Sequence, residues 1–239
     1  MNGKKAIFCW SGGKDSSFAL YKILQSAEYE VVALFTTINE NFKRVSMHGV
    51  REELIELQAA HIGIPLIKMY VKTGSNEEYE RNMETFLLTQ KEKGVDYVVF
   101  GDIFLEDLRA YRDKNLEKVK MKGIYPLWKM DTSKLAHEFI DLGFKTILCC
   151  VNDAYLSDKE VGVMFDLNLL SNIPSNVDPC GENGEFHSFC FDAPIFKEPV
   201  NIKVGEKVYR PLEIKTDSNN PCPTENKTQG FWFCELSNT

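Results

Sequence analysis

The sequence lacks any run of about 18 apolar residues, the length at which a helix can cross a membrane. It also lacks a signal-peptide layout, because its first residues lead directly into an apolar stretch at residues 6–10. We therefore expect a cytoplasmic protein without a membrane partner. The seven cysteines are odd in number and include no C-x-x-C pair, which predicts reduced thiols and argues against a structural zinc site.

Positive charge is also scarce, since 28 Lys and Arg residues face 35 Asp and Glu residues and leave a net charge of −7. Nucleic-acid binding needs clustered Lys and Arg to neutralise phosphates, so a nucleic-acid partner is not expected. Hydrophobic residues make up 44% and charged residues 26% of the chain, the balance of a soluble globular protein. A length of 239 residues fits one large domain, or a domain with a smaller addition.

Short apolar runs alternate with longer amphipathic stretches over the first 170 residues. This pattern predicts strands at residues 6–10, 31–36, 66–71, 96–100 and 144–151, and helices at residues 16–25, 50–61, 75–93, 104–118, 131–142 and 158–169. Strands separated by helices indicate β-α-β crossovers, so we expect an α/β fold with a mostly parallel sheet and helices on both faces.

The pattern changes after residue 171, where strands follow one another without helices. They are predicted at residues 186–191, 200–204, 207–214 and 231–236, with a hairpin turn at Gly205-Glu206 and a polar, mobile loop at 216–230. We therefore expect a nucleotide-binding α/β domain over residues 1–171 and a smaller, strand-rich acceptor-binding region over residues 172–239.

The strongest motif follows the first strand and opens the first helix. It reads Ser11-Gly12-Gly13-Lys14-Asp15-Ser16-Ser17. The glycines allow a tight turn and a close approach of the backbone to a ligand. Backbone N–H groups at the start of a helix attract anions, and the hydroxyls and the Lys14 ammonium add donors. A phosphate-binding loop is therefore predicted.

The motif is neither a Walker loop, which reads G-x-x-x-x-G-K-[ST], nor the G-x-G-x-x-G of dinucleotide sites. It resembles the PP-loop of the ATP pyrophosphatases, in which the loop holds the pyrophosphate part of ATP. The resemblance implies ATP and Mg²⁺ as cofactors, transfer of AMP to the substrate and release of pyrophosphate. Asp15 could orient the loop or, with Asp102, hold the metal.

A second motif follows the fourth predicted strand, at the carboxyl edge where open α/β sheets bind ligands. Gly101 and Asp102 begin it, and Arg109 and Arg112 come next, three residues apart on one helix face. The arginines could clamp a phosphate or carboxylate, or form a solvated face with nearby acids.

A third motif, at residues 178–188, brings Glu182, Glu185 and His187 together around glycines. The carboxylates could bind Mg²⁺, hold a substrate amine or act as a base toward ammonia. A polar hairpin with exposed acids is the alternative. His48, in the loop after the second strand, could face the nucleotide.

Together the three motifs resemble those of the diphthine–ammonia ligase family of PP-loop ATPases, and the likeness runs from about residue 6 to about residue 196. It implies that a carboxylate is adenylated and that ammonia or an amine then displaces AMP. The phosphate loop through Ser16 would bind ATP, with Gly101 and Asp102 beside it. Glu182, Glu185 and His187 would line the acceptor pocket, and Arg109 and Arg112 would lie at its rim. The residues expected to be catalytic are Lys14, Asp15, Asp102, Glu182 and Glu185.

The acceptor stays open at this point. It could be the diphthine of elongation factor 2, as for the type member of the family, or a small carboxylate. A PP-loop enzyme that modifies tRNA and a nucleotide-binding protein without turnover are the alternative functions, and a homodimer is compatible with the sequence.

Overall fold

The computed structural model describes residues 3–45, 48–72, 76–212 and 228–239, with the side chains of residues 76 and 77 excepted. The strands in this part of the chain are β1 (Lys4–Cys9), β2 (Tyr29–Asn39), β3 (Arg44–Val45), β4 (Leu66–Val71), β5 (Tyr97–Val99), β6 (Lys122–Ile124), β7 (Lys145–Asn152), β8 (Phe186–Asp192), β9 (Ile202–Pro211) and β10 (Gly230–Asn238). The helices are α1 (Lys14–Ser26), α2 (Glu52–Ile62), α3 (Asn76–Glu92), α4 (Glu106–Lys118), α5 (Thr132–Asp141) and α6 (Leu167–Asn172). None of these helices is long and apolar enough to span a bilayer.

The first sheet is mostly parallel, which confirms the predicted fold class. Its parallel strands lie in the order β4-β2-β1-β5-β6, and the short β3 pairs antiparallel with the end of β2. From β1 the chain builds outward first through β2 and β4, and later through β5 and β6 on the other side. The order therefore reverses between β1 and β5, and a crevice opens outside the carboxyl ends of strands at such a point.

Residues of β1 alternate between the two faces of this sheet, as the pleat requires. Phe8 packs into a core cluster that includes Phe18 of α1 and Leu54 of α2. Ile7 packs into a second cluster that includes Leu87 of α3 and Leu116 of α4. The sheet is thus covered by helices on both faces, which explains the continuous apolar run of its central strand.

The second sheet is antiparallel and has the strand order β8-β7-β10-β9. The alternating pattern favours the parallel sheet for the strand at 144–151, but β7 pairs antiparallel with β8 and β10. The predicted hairpin at Gly205-Glu206 is wrong, because β9 runs through these residues as one strand. Its register against β10 shifts there, so that Gly205 and Glu206 lie opposite the single residue Glu235 in a β-bulge.

The predicted helix at residues 158–169 is also wrong. Turns occupy residues 158–162, and α6 begins only after Asp166, whose side chain accepts a hydrogen bond from the Leu169 N–H at 2.9 Å. Gly162 adopts a φ of +79° and donates its N–H to Leu148 of β7 at 2.7 Å. Pairing with β7 thus replaces the helical hydrogen bonds. Most of the loop predicted at 216–230 lies outside the described residues.

Candidate active site

The phosphate loop connects β1 to α1 at the point where the strand order reverses. Gly13 is the N-cap residue of α1 and carries no side chain to cap it. The first-turn N–H groups of a helix have no partner within the helix, so they and the helix dipole favour an anion here. Ser16 and Ser17 donate their hydroxyls to the Gly13 carbonyl at 3.0 and 2.8 Å, and Ser11 donates to the Ser16 hydroxyl at 3.1 Å. These side chains hold the turn in shape.

A fully buried glutamine of α2 fixes the base of the loop. Gln58 accepts a hydrogen bond from the indole Nε1 of Trp10 at 2.9 Å and donates to the Gly12 carbonyl at 2.9 Å and to the Cys190 carbonyl. Gly12 has a φ of +78°, and a Cβ there would lie 2.5 Å from Cδ1 of Ile55. Only glycine fits this position without rearrangement.

The second sheet also contributes to the loop, through β8. The Cys190 N–H donates to the Gly12 carbonyl at 2.9 Å, and the Lys14 N–H donates to the Ser188 hydroxyl at 3.1 Å. A Cβ on Gly13 would lie 3.0 Å from both the Ser188 carbonyl oxygen and Cε1 of His48. The loop is therefore enclosed on one side by β8 and His48.

The loop opens into a cavity of about 960 Å³ at the carboxyl edge of β1, β2 and β5. This volume lies within the usual range for small-molecule sites. The predicted site residues that line it are Ser11, Gly13, Asp15, Ser16, His48, Gly101, Asp102, Arg112, Glu182 and His187. Those that lie behind or beside its wall are Gly12, Lys14, Ser17, Arg109 and Glu185. The three motifs of the sequence thus meet at one cavity.

Asp102 is held in place by Arg112. The guanidinium Nε lies 2.7 Å from Oδ2, and Nη2 donates to Oδ1 at 3.0 Å. The guanidinium also lies over the Phe100 ring, 4.4 Å from its centroid. Arg109 points elsewhere, with its guanidinium 4.6 Å from the Tyr125 centroid. The two arginines therefore do not form one clamp.

The two glutamates of the third motif have different surroundings. Glu182 accepts hydrogen bonds on Oε1 from the N–H groups of Ile103, at 2.7 Å, and Phe104, at 3.3 Å. Burial, with a smaller effect of the Asp15 charge, raises the pKa of Glu182 to about 7. Glu185 is 1% exposed and accepts from the Asp178 N–H at 2.9 Å, so it stabilises the turn.

Two histidine rings lie against each other at the edge of the cavity, with centroids 4.6 Å apart and planes tilted by 38°. His48 Nδ1 lies 3.4 Å from the Ser188 carbonyl oxygen, which can only accept, so this hydrogen bond forms in the tautomer that carries the proton on Nδ1. Burial lowers the pKa of His48 to about 4 and that of His187 to about 3. Both rings are therefore neutral near pH 7.

Lys14 is 2% exposed and does not line the cavity; its ammonium lies behind the wall that Asp15 and Cys180 form. It donates to the Cys180 carbonyl at 2.6 Å and forms an ion pair with Asp15. Burial raises the pKa of Asp15, against the opposing effect of Lys14. Asp15 itself stays at the cavity wall, with its side chain one-third exposed.

The carboxylates of Asp15 and Asp102 are suited to a hard cation. No group of three or more His, Cys, Asp or Glu residues within the described ranges is placed to hold a metal alone. Magnesium commonly binds through one or two carboxylates together with water and phosphate oxygens. Asp15 and Asp102 line the cavity and are the carboxylates that would serve this mode; in the structure each pairs with a cation, Asp15 with Lys14 and Asp102 with Arg112.

Thr36 and Ser188 are among the site residues that sequence reasoning missed. Thr36, in β2, lines the cavity and has a buried hydroxyl without a hydrogen-bond partner. Its place at the carboxyl end of a predicted parallel strand could have identified it. Ser188, which bonds the Lys14 N–H, lies within the third motif but carries no distinctive chemistry of its own.

Comparison with known proteins gives consistent matches. Residues 4–123 match the family described as diphthamide synthase N-terminal domain, and residues 131–217 match the diphthamide synthase C-terminal domain. The chain is similar to the diphthine–ammonia ligase of Danio rerio, with 27% identity over 222 residues, 83% of this chain and 86% of the relative. The Homo sapiens protein of the same name is 25% identical over 223 residues, 83% and 82% of the two chains. That of Schizosaccharomyces pombe is 27% identical over 228 residues, 85% of this chain but 37% of the relative.

Proposed function

The chain belongs to the diphthamide synthase family, and on that premise we propose that it is an ATP-dependent ligase that converts a carboxylate into an amide through an acyl adenylate. The observation that carries the proposal is the convergence of the phosphate loop, Asp102 and Glu182 on one cavity. An anion-binding loop alone would support nucleotide binding. A carboxylate with a raised pKa in the same cavity supports proton transfer as well.

ATP would lie with its phosphates on the loop. The N–H groups at the start of α1 and the hydroxyls of Ser11 and Ser16 would face the pyrophosphate, which leaves with its charge already stabilised. Asp15 and Asp102 would hold Mg²⁺, which neutralises charge on the phosphates. The adenine would occupy the apolar wall that Phe35 and Met83 form, next to the unpartnered Thr36 hydroxyl.

The reaction would have two steps. In the first, a carboxylate oxygen of the acceptor attacks the α-phosphorus of ATP, and the bond to pyrophosphate breaks. In the second, the nitrogen of ammonia or an amine attacks the acyl carbon, and the bond to AMP breaks. Glu182, with a pKa of about 7, would accept the proton that the nitrogen loses.

The relatives' name suggests diphthine as the acceptor and ammonia as the nitrogen donor. By the family resemblance, elongation factor 2 would carry the diphthine. A small free carboxylate is the alternative acceptor. The two acceptor classes can be separated by ultrafiltration, because a filter that passes a small carboxylate retains a protein.

The test is exchange of labelled pyrophosphate into ATP in the presence of Mg²⁺. Wild type would be assayed with a small-molecule filtrate of a cell extract and, separately, with its protein fraction. Exchange that depends on one fraction would establish adenylation and identify the acceptor class. Release of ADP, or no exchange with either fraction, would contradict the proposal.

Asp15→Asn keeps the shape of a residue at the loop and removes its charge. We expect a loss of exchange of about 100-fold or more, the usual size for a group that stabilises charge in the transition state. Asp107→Asn, on the exposed start of α4, is the matched control and should exchange like wild type. Full exchange by Asp15→Asn would refute the role of the loop.

A further inference from the structure

Lys14 lies in the middle of the phosphate loop, but its ammonium points to another segment of the chain. We propose that Lys14 is a positioning residue that fastens the segment 178–185 to the phosphate loop, and that it therefore sets the acceptor side of the cavity and is not a ligand of the ATP phosphates. The proposal rests on the proposed function only because that function assigns one side of the cavity to ATP and the other to the acceptor.

Two of the three N–H donors of the ammonium are already engaged. One N–H bonds the Cys180 carbonyl at 2.6 Å and another pairs with Asp15. The remaining surroundings are aromatic, with the Phe165 and Phe186 ring centroids 5.6 and 5.8 Å from Nζ. If the ammonium moved away, the buried carbonyl and the carboxylate would lose a hydrogen-bond partner, and the cation–π contacts with the two rings would be lost.

In the described part of the chain, the other hydrogen bonds of the segment 178–185 stay within it or reach Thr132, Asn152 and the loop after β5. Asp178 organises it internally, because Oδ1 accepts from the N–H groups of Cys180, at 2.9 Å, and Glu182, at 3.2 Å. Oδ2 of Asp178 accepts from the Thr132 hydroxyl at 2.7 Å.

Across the cavity, Glu182 bonds the Ile103 N–H. The segment therefore spans the gap between the loop after β1 and the loop after β5. Lys14 is its side-chain anchor on the first of these loops, and Glu182 is its anchor on the second. Through this span, Lys14 helps to decide where the Glu182 carboxylate stands in the cavity.

Lys14→Met is the direct test, because methionine keeps the length and the apolar stem and removes the charge and the donors. Lys22→Met, on the same helix, is the matched control, since Lys22 pairs with Glu138 away from the cavity. Two quantities would be measured on each protein: amide hydrogen exchange resolved along the chain, and the affinity for α,β-methylene-ATP by titration calorimetry.

For Lys14→Met we expect the amides of Cys180, Glu182 and Asn183 to exchange about 10-fold faster or more, as fits the loss of one charge-assisted hydrogen bond. Amides of β1 and α2 should stay within about 2-fold of wild type, because the opening is local. The dissociation constant for α,β-methylene-ATP should change by less than about 3-fold, well below the effect of losing a phosphate contact.

Three results would overturn the proposal. A rise in the dissociation constant of about 10-fold or more would make Lys14 a phosphate ligand. Unchanged exchange at residues 180–183 would mean that the segment needs no tether. Faster exchange throughout β1 and α2 would mean that the lysine is needed for the fold as a whole.

Lys14→Arg keeps the test valid if the methionine variant is too unstable to handle. The guanidinium retains charge and donors for the Cys180 carbonyl and suits the faces of Phe165 and Phe186. It should restore slow exchange at residues 180–183, and failure to do so in a folded protein would count against the tether. If wild type itself does not bind α,β-methylene-ATP, the proposed function fails, whereas the exchange measurement still decides the role of Lys14.

Discussion

The replacement of Gln58 by leucine would test whether the phosphate loop depends on a buried polar side chain from α2. Leucine has a similar size and keeps the position filled. It removes the acceptor of the Trp10 indole N–H and the donor to the carbonyls of Gly12 and Cys190. The substitution therefore changes the hydrogen bonds at the base of the loop without opening a large cavity.

The loss of stability depends on which buried groups lose a hydrogen-bond partner. The Gly12 carbonyl keeps the Cys190 N–H at 2.9 Å, whereas the Trp10 N–H and the Cys190 carbonyl lose their side-chain partner. Two buried polar groups without partners cost about 2–6 kcal/mol together, and burial of the leucine side chain offsets about 2 kcal/mol. We expect a net loss of about 2 kcal/mol, which lowers Tm by about 4–8 °C for a chain of this length.

The assay is thermal unfolding of Gln58→Leu and wild type, followed by titration with α,β-methylene-ATP. We expect affinity to fall by about 10-fold, because a loop that has lost its anchor must be ordered again on binding. Gln25→Leu, an exposed position near the end of α1, is the matched control and should stay within about 0.5 kcal/mol of wild type. A Tm of Gln58→Leu within about 2 °C of wild type, together with unchanged affinity, would refute the reasoning.

Two further predictions concern the cavity wall. Gly13→Ala places a Cβ 3.0 Å from the Ser188 carbonyl oxygen and from His48, so Tm should fall by several degrees and affinity for α,β-methylene-ATP about 10-fold as the loop moves to relieve the contact; wild-type Tm and affinity would mean that the loop has room for the methyl group. The pKa of Glu182 is raised from 4.5 to about 7, so the native state binds the proton more tightly than the unfolded state, and ionisation of Glu182 reduces stability as the pH rises from 4.5 through 7. Glu182→Gln keeps an acceptor for the Ile103 N–H and should melt above wild type at pH 8 but not at pH 4.5, whereas a lower Tm at pH 8 would show that the native state favours the carboxylate.

Much of the first sheet could be predicted because its strands are buried on both faces. The bounds of β4 agree with the predicted strand at 66–71, and β1 and α1 lie within a few residues of theirs. Gly63 ends α2 with a φ of +80°, the left-handed conformation that glycine favours and that helix ends commonly use. Such local signals act independently of the rest of the chain.

The region 158–169 shows where periodicity fails. Val161, Phe165 and Leu169 follow one another at four-residue spacing, and all three are buried as that spacing predicts. They reach the core without a helix, because the backbone bonds β7: the Phe165 N–H donates to Thr146 at 2.8 Å, and the Leu148 N–H donates to Val163 at 2.9 Å. The four-residue spacing therefore predicted which side chains are buried but not the backbone conformation. The backbone could form helical hydrogen bonds or pair with β7, and the presence of β7 decides between these.

The sequence likewise predicted only part of the candidate site. The ends of parallel strands gather at one edge, and this predicted that the first two motifs meet. The third motif was placed beside them only by the family resemblance. Residue types and spacing did not predict the direction of individual side chains. The Lys14 ammonium bonds a main-chain carbonyl at Cys180, and every residue has such a carbonyl, so no sequence signal marks the partner. The proposed roles of the site residues stay predictions until the variants above are assayed.

The arrangement of the phosphate loop also bears on the predicted division of the chain at residue 171. The Gly12 carbonyl and the Lys14 N–H bond Cys190 and Ser188, which belong to β8. One core cluster contains Phe8 of β1 and Phe189 of β8 together. The phosphate loop thus completes its backbone hydrogen bonds only after a strand from beyond residue 171 has joined it. A division into an ATP-binding part and an acceptor-binding part can therefore describe which ligand each part contacts, but the two parts share the hydrogen bonds that shape the loop.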